Sequence, residues 1–140
     1  MTQRFPALIA ALWWGSLSTI GFLVVPLLFA NLPTLAMAGH MAATLFAAQT
    51  WVSVACGLLL LLLSRSKQTQ ALADWARNAI IFIVLGLLLA LLSQFAVAPR
   101  IVARENLELW HSVGSVMYLV QWACAGVVLW QLVSGPRKSG

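Results

Sequence analysis

Four long apolar stretches set the limits on this chain of 140 residues: roughly Phe5 to Leu28, Ala36 to Leu63, Ala79 to Ala98 and Leu109 to Val133. An α-helix rises about 1.5 Å per residue and needs about 20 apolar residues to cross the hydrocarbon core of a bilayer. Each stretch meets that length. Composition agrees, because charged residues make up 8% of the chain, against about 25% in an ordinary soluble domain. Lipid offers no partner to an open backbone group, so apolar runs of this length are expected to be helices bonded within themselves. The expected fold is all-α, an integral membrane bundle of four antiparallel helices forming one transmembrane domain over residues 1–140. The connection from Ala30 to Leu35 carries Asn31 and Pro33 and no charge, as a short turn would. That from Ser64 to Asn78 is longer, polar and net basic. The first stretch follows Arg4 much as a signal peptide would. It is too long for a signal core, however, carries Trp13 and Trp14, and has no clear cleavage site, so it is read as a retained helix.

The formal net charge of +5 raises the question of a nucleic-acid partner. Position argues against one, since Arg4, Arg65, Lys67, Arg77, Arg137 and Lys138 lie at the edges of apolar runs and form no basic stripe. Those six fall at the termini and in the second connection, while the other two connections hold only Arg100 and Arg104. The bias places both termini in the cytoplasm of a multi-pass protein of the bacterial inner (plasma) membrane. Trp75 and Trp110 fall at expected water interfaces, and Trp13, Trp14, Trp51 and Trp122 lie deeper. Cys56 and Cys124 sit in different apolar runs without paired-cysteine spacing and are read as small buried hydrophobes.

The two halves share a pattern. Phe22-Leu-Val-Val-Pro26 returns as Phe95-Ala-Val-Ala-Pro99, and each copy is followed by a His and then a Trp, His40 with Trp51 and His111 with Trp122. This suggests a duplicated two-helix hairpin, its copies related by an axis along the membrane normal. The stripes His40, Ala43, Ala47, Trp51 and His111, Gly114, Tyr118, Trp122 would each share a helix face, and small residues such as Ala7, Ala11 and Gly15 let helices approach closely. Pro26 and Pro99 lie near helix ends and are read as helix stops.

Candidate chemistry is sparse. His40 has Met37 and Met41 beside it, a soft donor set suited to copper(I), to which His111 would add an imidazole if the second and fourth helices are neighbours. A haem held by His40 and His111 would use the same pair. The ordinary reading is that interfacial His and Met residues need no ligand, and no third strong ligand is evident. Gln94, one turn before Pro99, must bond a neighbouring helix, with Ser16, Ser18 and Thr19 as candidates, or line a wet cavity. Arg104 and Glu108 have the spacing of a solvated pair on a helical turn. No nucleophile, zinc-protease, dinucleotide or phosphate-loop signature occurs, and the three acidic residues lie outside the apolar runs, so an enzyme is not expected.

Trp14-Gly15-Ser16, Gly21-Phe22 with Pro26-Leu27-Leu28-Phe29, Ala38-Gly39, Leu45-Phe46, Ser93-Gln94-Phe95-Ala-Val-Ala-Pro99-Arg100 and His111-Ser112-Val113-Gly114-Ser115 follow in an informative order. The chain resembles, to about Val133, the uncharacterised bacterial four-span membrane family related to transmembrane protein 205. That resemblance implies a polytopic membrane protein without an established activity, and it points to Gln94, Pro99, Arg100 and His111 rather than to His40. More distantly, the chain is similar in fold to copper-resistance and haem-maturation membrane proteins. The leading expectation is a non-enzymatic protein acting in the lipid bilayer through helix association, as a homo-oligomer or as a subunit beside another membrane protein. The alternative is copper or haem binding or transport through His111 and His40 with Met37 and Met41.

Overall fold

Each apolar stretch folds as a helix that runs past the stretch predicting it, because helical hydrogen bonding continues into interfacial residues that hydropathy does not count. A computed structural model describes residues 4–65 and 70–134. Lys67, Arg137 and Lys138 of the charge pattern, and the side chain of Trp75, lie outside what it describes. The four helices are α1 (Arg4–Asn31), α2 (Leu35–Arg65), α3 (helical from Gln70, with a spanning part Ala76–Val102) and α4 (Leu107–Val133). All four are long and apolar enough to cross a membrane.

The turns follow from their residues. Pro33 favours an extended residue before it, and the next residue, Thr34, accepts the Met37 N–H on its hydroxyl at 3.2 Å, capping the start of α2. Between α3 and α4 the chain reverses through Arg104 and Asn106, both left-handed with φ of 55° and 36°. Asn tolerates that conformation; Arg does so at a cost of roughly 1 kcal/mol. The expected Arg104–Glu108 helical pair is therefore not made, since the helix breaks between the two residues. The ion pair among the described residues is Arg77–Asp74 at 3.2 Å, with both side chains exposed, a contact that contributes little.

Packing runs around a square. α1 lies beside α2, α2 beside α3, α3 beside α4, and α4 beside α1, so that α1 and α3, like α2 and α4, face each other across a diagonal. The core is densest toward the end away from the two short turns. There Trp13, Leu17, Leu60, Ile83 and Val128 are fully buried among Ala10, Ala79 and Ala125. Gly86 makes room for Trp13, because a Cβ at that position would stand 2.7 Å from the indole Cη2. Toward the turn end the buried side chains are small, Ala38, Ala42, Ala90 and Val97.

Neither proline ends its helix. Both α1 and α3 widen into a π turn just before the proline, at Ile20–Val24 and Ser93–Val97, and then continue as α-helix to Asn31 and Val102. Proline lacks an N–H and its ring crowds the carbonyl four residues back, so one inserted residue shifts the hydrogen bonds past it. The Val25 N–H reaches back to the Ile20 carbonyl, and the Ala98 N–H to that of Ser93.

The offset that carries Pro26 onto Pro99 also carries one π turn onto the other. It takes buried Pro6, Ala10, Trp13 and Leu17 onto buried Ala79, Ile83, Gly86 and Ala90. In α2 and α4 burial matches when Phe46, Gln49, Ser53, Cys56 and Leu60 are set on Tyr118, Gln121, Ala125, Val128 and Leu132. That register is one residue away from the His40/His111 and Trp51/Trp122 pairing suggested by sequence. Trp51 is accordingly 59% exposed, while Trp122 is half-buried against α1. Matched positions also meet across the bundle: Trp13 against Gly86, and Phe46 against Tyr118 with ring centroids 5.3 Å apart.

Candidate functional site

A hydrophobic bundle concentrates its information in the few polar groups it holds. Three of them tie α1 to its neighbours. The Gln49 Nε2 of α2 donates to Ser16 Oγ at 3.0 Å, the Tyr118 hydroxyl of α4 donates to the Leu17 carbonyl at 2.6 Å, and the Trp122 Nε1 donates to Ser18 Oγ at 2.8 Å. Ser16 and Ser18 themselves donate to the carbonyls of Trp13 and Trp14, so each serine passes a bond from the neighbouring helix into its own backbone. Interhelical bonds of this kind contribute on average about 0.6 kcal/mol each in a membrane protein. Gln49 is 2% exposed, and its Oε1, like the Trp13 Nε1, has no partner among the described residues.

The two π turns differ in what covers them. Against the first, the Tyr118 ring lies so close that a Cβ on Gly21 would fall 2.4 Å from Cε1. Glycine is required there by contact rather than by backbone angle. The residue that corresponds to Gly21 in the second π turn is Gln94, and the one that corresponds to Tyr118 is Phe46, which has no hydroxyl. Gln94 lines an open groove of about 430 Å³ with Ala43, Ala98, Pro99, Val102 and Ala103. Gln94 makes none of the expected bonds to Ser16, Ser18 or Thr19; Ser16 and Ser18 instead accept from Gln49 and Trp122.

The remaining sequence candidates lie at the same end of the bundle. His40, His111, Met37 and Met41 are all exposed. A shared copper or haem site was conditional on α2 and α4 being neighbours, but they lie across the diagonal. Among the described residues no group of three or more His, Cys, Asp or Glu gathers as a metal site. Arg100 places its guanidinium 4.5 Å from the centroid of the Trp110 ring, a cation–π contact that ties the end of α3 to the start of α4. Cys56 and Cys124 are buried and free, as expected.

Gln49 escaped the sequence reading, and Gly21 and Tyr118 were named there only in a segment and a helix stripe, not as partners. For Gln49 the signal was present, a single amide in the middle of an apolar run, the same feature that singled out Gln94. Tyr118 is the only tyrosine of the chain, but its glycine partner lies on another helix, and no local pattern joins them.

Fold and polar layout together define a four-span α-helical membrane bundle. Over residues 8–108 the chain matches the family described as Domain of unknown function (DUF4149), and it belongs to that family. No curated protein and no solved structure matches it.

Proposed function

We propose that this protein works without catalysis, by lateral association of its helices in the bilayer, as a homo-oligomer or as an accessory subunit of another membrane protein. The observation that supports this is the outer face of α1. Ala11 is exposed there, and a Cβ added to Gly15 would meet nothing within 4 Å. A small residue facing out of a spanning helix serves no packing need inside its own bundle, whereas Ala11 and Gly15, four residues apart, form the small-xxx-small surface on which membrane helices approach closely. Leu8 and Leu12, both exposed, border that face and supply contact area. Subunit counting by single-molecule photobleaching in lipid vesicles tests the reading. Wild-type protein is expected in particles of two or more chains, and Gly15→Leu in single chains with unchanged thermal stability. Single chains for the wild type, alone and with the membrane proteins that copurify with it, would overturn the proposal.

The proposed setting is the bacterial inner membrane with both termini in the cytoplasm, resting on the Lys and Arg bias of the termini and second connection. A reporter active only outside the cytoplasm, fused after Gly140, is expected to stay silent; activity would reverse the orientation.

A further inference from the structure

We propose that the groove at the second π turn is a specific site for a phospholipid with a negatively charged, hydroxyl-bearing headgroup, phosphatidylglycerol being the simplest. The inference starts from hydrogen bonds left open. The Ala98 N–H bonds to the Ser93 carbonyl, and the next residue, Pro99, has no N–H, so the Gln94 carbonyl finds no helical donor four or five residues on. The Gln94 side-chain amide is half-buried and makes no hydrogen bond among the described residues. At membrane depth an open carbonyl and an open amide each cost free energy until something bonds them. In the first hairpin Pro26 leaves the Gly21 carbonyl in the same way, but the Tyr118 ring lies against Gly21 and its hydroxyl donates to the Leu17 carbonyl. In the second no aromatic ring is seen against Gln94, and an open surface groove of about 430 Å³ lies beside it.

The lining identifies the occupant. Ala43, Ala98, Pro99 and Val102 give a narrow apolar wall suited to an acyl chain running along α2 and α3. Gln94 offers an amide donor and two carbonyl acceptors, which suit glycerol hydroxyls. Arg100 and Arg104 adjoin the lining residues Pro99 and Ala103 in the chain, are exposed, and have no acidic partner among the described residues. Both stand at the end of α3, where a headgroup phosphate lies when its acyl chain follows the helix, and arginine suits a phosphate partner.

Native mass spectrometry of the full chain, released from nanodiscs holding equal phosphatidylglycerol and phosphatidylethanolamine, tests the assignment. The wild type is expected to retain one phosphatidylglycerol per chain in at least about tenfold preference over phosphatidylethanolamine. Gln94→Leu and Ala43→Trp, the second filling the groove while leaving Gln94 in place, are each expected to lose that preference with helical circular dichroism unchanged. Equal retention of the two lipids by the wild type, or undiminished phosphatidylglycerol on Ala43→Trp, would overturn the proposal. So would a disulfide between two copies formed quantitatively by Ala43→Cys in the same nanodiscs, since another chain would then fill the groove. The association proposed for α1 uses a different face, and Gly15→Leu is expected to keep the lipid, so the two readings fail separately.

Discussion

The first and second π turns occupy matched places in α1 and α3, each just before a proline, yet one carries a ring from another helix and the other borders a groove. At Ile20–Val24 a tyrosine from α4 rests on a glycine and bonds the backbone of the preceding turn. At Ser93–Val97 the glycine is replaced by Gln94 and the tyrosine by Phe46, whose ring leans on Tyr118 instead of supplying a hydroxyl. The backbone deformation is thus common to both hairpins, while its partner is not. Proline imposes the deformation by removing a donor; side chains on other helices then decide whether the opening closes on the protein or stays available. One hairpin spends its π turn on joining α1 to α4, and the other leaves a groove between α2 and α3.

The comparison breaks most visibly at glycine. Gly21→Val is expected to destabilise the bundle by about 2–3 kcal/mol, because the ring of Tyr118 must move and its bond to Leu17 goes with it. At the matched position, Gln94→Val meets the open groove and is expected to stay within about 0.5 kcal/mol. Reversible unfolding in detergent micelles measures both, and equal losses would erase the distinction between the turns. A smaller effect is expected from Tyr118→Phe, which gives the first turn the same ring as the second. Loss of one hydroxyl-to-carbonyl bond amounts to about 1 kcal/mol, with the ring contact to Phe46 kept.

Much of the fold was legible in the sequence because lipid is a simple solvent: it demands long apolar helices and penalises charge within them. Hydropathy therefore located four spans, though it undercounted their ends, where residues such as Asn31 and Val102 remain helical beyond the most apolar core. The repeated Phe-x-Val-x-Pro segment was visible as well, and it falls on the two π turns. Its structural meaning was not, since a proline near an apolar end fits a helix stop as well as a shifted register. Position in the chain also misled at His40 and His111. Their like spacing to Trp51 and Trp122 suggested equivalence, but burial sets the two helices in a register one residue away. The groove could be read only in part: Gln94 stood out as a lone amide, whereas Ala43 has no chemistry to mark it and becomes a lining residue only through the packing of α2 on α3. Contacts that join distant helices, Tyr118 on Gly21 above all, carry no local signature.

Amide hydrogen exchange in lipid nanodiscs tests the central contrast most directly, comparing Ile20–Val24 with Ser93–Val97 in wild type and in Tyr118→Phe. The turn that Tyr118 covers is expected to exchange more slowly than the one beside the groove, and the substitution is expected to speed the first turn by about fivefold, the equivalent of about 1 kcal/mol, while leaving the second unchanged. Equal exchange of the two turns in the wild type, or no change at Ile20–Val24 when the hydroxyl is removed, would contradict the account.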